Sequence, residues 1–248
     1  MKKLSLPSII FLLAFFYIPF AIVILYAFGY PEFTLKHFRD VLNPLYASYI
    51  LNSAIIAFLT TAICLAIAYP VAYYIALKAG KWKNALLIAV ILPFWISFLL
   101  RTYALMTILS KLGIMFTFTA VMVGMVYDYL PFMILPLYTA MERMNVSTIE
   151  ASYVLGADPI KTFLKVVMPL SRQGMIAGIF LVFVPALGEF VVPAMLGGVS
   201  ASTLGTLTWE LFIRYHNWWK GSALSVIYLA VVFAFTAYYI KRSGRLEL

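Results

Sequence analysis

Charge is scarce in this chain: acidic and basic residues make up only 11% of the 248 residues, whereas 65% are hydrophobic. That balance excludes an ordinary soluble domain and marks a chain solvated by lipid. Cysteine is rarer still. Cys64 stands alone inside an apolar run, which leaves neither a disulfide framework nor a cysteine metal site. Histidine occurs only as His37 and His216, isolated from one another and each expected to be an ordinary exposed side chain. No G-x-x-x-x-G-K-[ST] phosphate loop is present, because Gly80-Lys81 lacks both the upstream glycine and the following hydroxyl residue. The chain is therefore not expected to be an enzyme that hydrolyses ATP.

What is abundant is long apolar sequence. Six stretches stand out, at about 6 to 28, 50 to 77, 85 to 109, 119 to 140, 174 to 196 and 221 to 240, each near or above the ~20 apolar residues that cross a bilayer as a helix. They predict an all-α membrane protein of about six spans, organised as a single domain over 1–248 with no room for a soluble one. Lys2 and Lys3 resemble the start of a signal peptide, but the apolar run behind them is too long and lacks a small-residue cleavage site, so it reads as an uncleaved first span.

The net charge of +9 would suggest nucleic acid in a soluble protein. Here the basic residues sit in short tracts between apolar runs, where they set orientation. With both termini cytoplasmic, twelve lie inside (Lys2, Lys3, Lys78, Lys81, Lys83, Arg143, Lys161, Lys165, Arg172, Lys241, Arg242, Arg245) and five outside (Lys36, Arg39, Lys111, Arg214, Lys220). The positive-inside rule supports that arrangement. Prolines recur within the spans at Pro19, Pro70, Pro93, Pro131, Pro136, Pro185 and Pro193. Most are expected to kink their helices, and a broken helix is expected around Glu189, where two of them flank a charge.

The longest inner connection, 141–173, is punctuated as helix, turn, helix. Ser147 and Glu150 make a capping box, Gly156 supplies a left-handed stop, and Asp158 and Pro159 restart the chain as N-cap and first-turn proline. Along the second helix Ile160, Phe163, Leu164 and Val167 recur on one face, a stripe expected to be buried, with Lys161 and Lys165 on another. Self-packing on the inner ends of the spans and docking of a partner are both consistent with this periodicity.

The run Glu150-Ala151-Ser152, three residues, Gly156, nine residues, Val166-Val167-Met168-Pro169 resembles the EAA loop of permease subunits of bacterial binding-protein-dependent ABC importers. The family pattern is Glu-Ala-Ala, three residues, Gly, nine residues, then Ile, any residue, Leu and Pro. Ser152, Val166 and Met168 depart from it while keeping size or apolarity. Further runs resemble the spermidine/putrescine branch: Leu92-Pro93-Phe94-Trp95, Leu100-Arg101-Thr102-Tyr103-Ala104-Leu105, Leu130-Pro131-Phe132-Met133-Ile134-Leu135-Pro136-Leu137-Tyr138, Pro185-Ala186-Leu187-Gly188-Glu189-Phe190, Leu196-Gly197-Gly198 and Asn217-Trp218-Trp219-Lys220-Gly221.

That resemblance implies the type I ABC importer permease architecture in a bacterial cytoplasmic (inner) membrane, carrying polyamines inward. It also implies that Glu150, Ala151, Gly156, Asp158, Phe163 and Pro169 belong to a cytoplasmic coupling loop seated on an ATPase. The implied partners are two copies of that ATPase, which uses ATP and Mg, a second and distinct permease chain, and an external solute-binding protein. Neither a cofactor on this chain nor nucleic acid is implied. Ferric iron and sulfate permeases share the architecture, so they remain alternatives for the solute, and spermidine and putrescine are not separated.

Three charges fall within the apolar stretches, Arg101, Asp128 and Glu189, and an ionisable residue in a span calls for a functional hypothesis. Counted from the outer ends of the stretches, all three lie roughly 10 to 14 Å down at ~1.5 Å per residue, as one layer. Arg101 either pairs with Asp128 or Glu189 as a bundle contact or snorkels outward. Glu189, beside Gly188 and between two prolines, suits a cationic solute. Trp95, Tyr103, Tyr127 and Phe190 are aromatic faces available to ammonium groups or to packing. An ATP-independent secondary transporter or channel, with Asp128 and Glu189 handling protons or cations, is the competing class. A membrane scaffold is another. The EAA-like loop argues against both.

Overall fold

A computed structural model describes residues 6–243, so the expectations for Lys2, Lys3 and Arg245 lie outside the described residues. All regular elements of the described residues are helical, with no strand among them. Three helices are long and apolar enough to cross a bilayer: α1 (Ile9–Ala27), α3 (Pro44–Leu77) and α6 (Phe118–Glu142). Between the first two of these lies the short α2 (Lys36–Val41).

Two broken pairs bring the number of candidate spans to five. They are α4 (Gly80–Trp95) with α5 (Phe98–Lys111), bent by 94°, and α8 (Pro159–Leu170) with α9 (Arg172–Gly188), bent by 71°. The connection before α8 also holds α7 (Val146–Val154), and the described chain ends with α10 (Leu204–Trp209) and the 26-residue α11 (Trp218–Ser243).

The stretch expected at 85–109 is therefore not one straight helix. Pro93 lies in a tight 3-10 turn, Leu92–Trp95, and Ile96 follows in extended conformation (φ −96°, ψ 135°). An extended residue ends the i to i−4 ladder, so the chain restarts at Phe98 in a new direction. Counting residues along this stretch consequently does not measure the depth of Arg101. The stretch expected at 174–196 is likewise divided: α9 ends at Gly188, Glu189 is extended (φ −63°, ψ 130°), and a π-helical turn, Pro193–Gly197, follows. Pro70, Pro131, Pro136 and Pro185 by contrast sit inside continuous helices, as membrane bundles permit.

Two compact units are present, residues up to Leu51 together with those from Leu204, and residues 52–203. In the first, Ala27, Val41, Leu204, Leu207, Leu211, Ala223 and Leu224 form an apolar core. Trp219 Nε1 donates to the Tyr30 carbonyl at 3.0 Å, and Lys220 pairs with Asp40 at 3.1 Å, which holds the Asp40 carboxyl below its usual range. His37 stacks on Trp219 with ring centroids 6.2 Å apart, and its Nδ1 is buried. It is thus half-buried rather than the exposed histidine expected, because the pinned indole offers it an apolar face. His216 is exposed as expected.

In the second unit α6 and α9 run antiparallel in close contact. Gly178 lies where an added Cβ would come 2.7 Å from Met133 Sδ, and Gly174 where it would meet the Pro136 carbonyl and Ala140. Small residues four apart let two helix backbones approach, the usual solution where apolar surface alone gives no drive to associate in lipid. The segment after Glu189 folds back on α6: Val192 and Leu196 are fully buried against Gly124, and the Phe116 N–H donates to the Leu196 carbonyl at 2.9 Å.

Candidate functional site

The connection 141–173 is two short helices joined at one sharp corner. Asn145, not Ser147, is the N-cap of α7, its Oδ1 accepting from the Ser147 N–H at 3.1 Å. Two good caps stand two residues apart here, and the upstream one prevails, leaving Ser147 inside the helix. Gly156 has φ +80° with open space around a would-be Cβ, so glycine is required there by backbone conformation and not by crowding. Asp158 caps α8, accepting from the Lys161 N–H at 2.7 Å with Pro159 in the first turn. That bond holds the Asp158 carboxyl below its ordinary range.

The corner is clamped from within. Ser152 Oγ donates to the Ile149 carbonyl at 2.7 Å, so its contact with Thr162 Oγ1 at 2.9 Å has Thr162 as donor. The serine that departs from the EAA pattern thus ties α7 to α8. Phe163 sets its ring edge-on against Tyr69 (5.2 Å) and Tyr73 (6.4 Å) of α3. Tyr69 Oη also hydrogen-bonds to Ser171 Oγ, which itself donates to the Val167 carbonyl at 2.8 Å. The loop is thus connected to α3 by an aromatic contact and to the start of α9 by a hydroxyl chain.

The stripe expected to be buried is only half so. Val167 is buried and Phe163 partly so, while Ile160 and Leu164 are exposed. The π-helical turn Phe163–Val167 adds a residue to the turn and rotates the two halves of α8 out of register. At the corner Val154 and Leu155 are 88% and 87% exposed. Together with Ile160 they make an apolar tip on a rigid mount, while Glu150, Ala151 and Pro169 lie exposed along the same loop.

The second cluster lies among the spans. Arg101, in the first turn of α5, places Nη1 3.3 Å from Asp128 Oδ1 on α6, with side chains 7% and 4% exposed. The pair is electrostatic: Arg101 Nε and Nη1 and both Asp128 oxygens lack an aligned hydrogen bond among the described residues. The guanidinium is flanked by Phe98 and Tyr127, with Cζ 5.9 and 5.8 Å from the ring centres, within the ~6 Å range of a cation–π contact.

Glu189 marks the break after α9. Its Oε1 accepts from the Val191 N–H at 2.8 Å, its Oε2 accepts from Tyr129 Oη of α6 at 2.9 Å, and its carbonyl accepts from Thr203 Oγ1 at 3.2 Å. One residue thereby caps the returning segment, ties it to α6 and receives its far end.

The structure thus brings Arg101, Asp128 and Tyr127 together and puts Glu189 on the next residue of α6 through Tyr129. Trp95 stands at the α4–α5 elbow, 79% exposed, and Tyr103 is exposed as well; neither ring forms a hydrogen bond or cation–π contact with the three charges. Tyr129, Phe98, Thr203 and Asn145 were not singled out from the sequence. Tyr129, beside Asp128 in a span, had a signal available: a hydroxyl next to a membrane carboxylate.

Comparison with known proteins gives a consistent picture. The family described as binding-protein-dependent transport system inner membrane component matches residues 68–242. The spermidine/putrescine transport system permease protein PotB of Haemophilus influenzae is 36% identical over 230 residues, covering 86% of this chain and 80% of that protein. Its counterpart in Escherichia coli K12 is 35% identical over 231 residues, covering 86% and 84%. The Escherichia coli inner membrane ABC transporter permease protein YdcU is 31% identical, covering 88% and 78%. Among solved structures, a bacterial alginate ABC transporter bound to its pentasaccharide-loaded periplasmic protein superposes with a TM-score of 0.78 at 17% identity, over 99% of this chain and 94% of that one. The MetNI methionine transporter, in an inward-facing form, does so at 0.66 and 19% over 79% and 94%. At those identities the structural likeness speaks for the fold alone.

Proposed function

We propose that this chain, which belongs to the family of binding-protein-dependent transport system inner membrane components, is the permease subunit of an ATP-driven importer that moves polyamines inward. Its membrane setting follows from the family and from its several apolar helices, and its family makes it a transport subunit rather than an enzyme. The polyamine assignment rests on the relatives at 35 and 36% identity. The observation that carries the coupling role is the inner corner, where two capped helices meet at a left-handed glycine and hold out an apolar tip.

In this reading 141–173 lies in the cytoplasm with both termini, and its tip seats on an ATPase present in two copies. Nucleotide and Mg are bound by that partner and not by this chain. A second, distinct permease completes the pathway, and an external binding protein delivers the solute. Glu150, Ala151, Gly156, Asp158, Phe163 and Pro169 serve the coupling loop. In the solute route the buried pair neutralises itself, so an ionised Glu189 leaves the cluster with one net negative charge. An opposing carboxylate lowers the cost of stripping water from an ammonium group. Tyr127 already faces Arg101, and Trp95, Tyr103 and Phe190 are the other exposed aromatic faces of the set.

ATP hydrolysis by the co-purified complex with its binding protein tests the assignment. Stimulation by spermidine or putrescine but not by ferric iron or sulfate is expected; stimulation only by one of the latter would reassign the solute.

A further inference from the structure

Beside the α6–α9 contact lies an open groove of about 780 Å³ that the transport reading does not use. Its floor and walls are mainly apolar, from Phe132 and Leu181 at one end to Leu170 near the other, and the polar lining besides Thr139 is Arg143, Asn145, Thr148 and Gln173. Along α6 the distance from Phe132 to Arg143 is about 16 Å at ~1.5 Å per residue. That equals roughly half of the ~30 Å hydrocarbon core, the depth of one leaflet.

Charge at the mouth is of one sign. Arg143 is exposed and forms no ion pair among the described residues, and the neighbouring Glu142 is taken by Lys83 at 2.6 Å. A polyamine entering here would face an uncompensated arginine, so the groove is not a second solute path. Apolar walls one leaflet deep that end in a free guanidinium fit an acyl chain below an anionic headgroup.

We propose that this groove is a binding site for an anionic phospholipid of the cytoplasmic leaflet, its acyl chain along α6 and α9 and its phosphate on Arg143. The inference rests on the cytoplasmic placement of 141–173. A lipid held there would lie against the root of α7 and the start of α9, the two ends through which the loop corner is mounted.

The test uses the assembled transporter in nanodiscs of phosphatidylcholine doped with phosphatidylglycerol or phosphatidylcholine carrying a photoreactive acyl chain. Adducts are mapped by peptide mass spectrometry. With phosphatidylglycerol, adducts on 132–143 and 170–181 are expected. Arg143→Gln should lower them about fivefold, the effect of one basic residue at a membrane surface, while Arg143→Lys and the control Lys165→Gln leave them high. Ala177→Trp, which fills the groove, should remove them for both lipids. Equal labelling by the two lipids, no loss in Arg143→Gln, or adducts of phosphatidylglycerol confined to peptides outside 132–143 and 170–181 would each overturn the proposal. A cysteine at Lys161, in a Cys64-free background, separates the premises: labelled only from the cytoplasmic side, a negative lipid result counts against the groove alone; labelled from outside, the leaflet assignment and the sidedness fail together.

Discussion

Glu189 shows at the scale of one residue how charge and architecture are separable. Its two oxygens each accept one hydrogen bond, from the Val191 N–H and from Tyr129 Oη. Glutamine in its place keeps an oxygen for Val191 and turns an N–H₂ donor to Tyr129, whose hydroxyl can accept as well as donate. Glu189→Gln should therefore assemble with the ATPase normally yet lower polyamine uptake about tenfold, the order expected for losing a charged hydrogen-bonding group; uptake at the wild-type rate across subsaturating concentrations would remove Glu189 from the solute route. Asp128 is a different case. Asp128→Asn leaves Arg101 buried without its counter-ion, a loss of about 3–5 kcal/mol for a broken buried pair, so assembly and uptake should both fall. Arg101→Gln with Asp128→Asn should restore part of the uptake, whereas Arg101→Gln with Glu189→Gln should not, and identical behaviour of the two double variants would contradict the pairing. That three charges interrupt the apolar runs was legible in the sequence; that they form one layer at a common depth does not follow from it, because the chain is broken ahead of Arg101. Which partners they take was not, since Tyr129 and Glu189 are sixty residues apart and no local pattern connects them.

At the scale of elements, the loop corner turns on Gly156. Because a Cβ there meets nothing within 4 Å, substitution costs only backbone strain, about 1 kcal/mol or more for a branched side chain in the left-handed region. Gly156→Leu should leave the protein in the membrane but weaken ATPase association and abolish transport, while Gly156→Asn, which tolerates that conformation, should retain much of both. Equal uptake by the two variants and wild type would show that the corner does not transmit the stroke. Gly156, Asp158 and Pro159 were readable in the sequence because caps and stops are local chemistry. Asn145 was missed because Ser147 offered an equivalent cap two residues on. The α4–α5 elbow was missed for a deeper reason: Pro93 carries the same signal as Pro70, Pro131 and Pro136, yet these remain inside continuous helices while Pro93 precedes a break of 94°. Tertiary surroundings decide which proline becomes a corner.

At the scale of the whole molecule, the apolar stretches and the family were legible because apolar length and the EAA spacing are properties of contiguous sequence, whereas of the six spans expected the described residues give three unbroken ones, or five with the two bent pairs. The division into two compact units, 52–203 and the remainder, depends on contacts between distant parts of the chain and was not. The proposed sidedness rests on the distribution of basic residues, so single cysteines at Lys81 and Lys161 in a Cys64-free background should be labelled from the cytoplasm and those at Lys36 and Arg214 from outside; the reverse pattern would invert the topology. The central claim, ATP-driven polyamine import through this chain, is tested most directly by spermidine accumulation in proteoliposomes holding the complete complex, with its binding protein outside and ATP within reach of the ATPase. Accumulation against a gradient that requires ATP, this chain and the ATPase together is the predicted result, and equal spermidine flux by this chain reconstituted without any ATPase would contradict it.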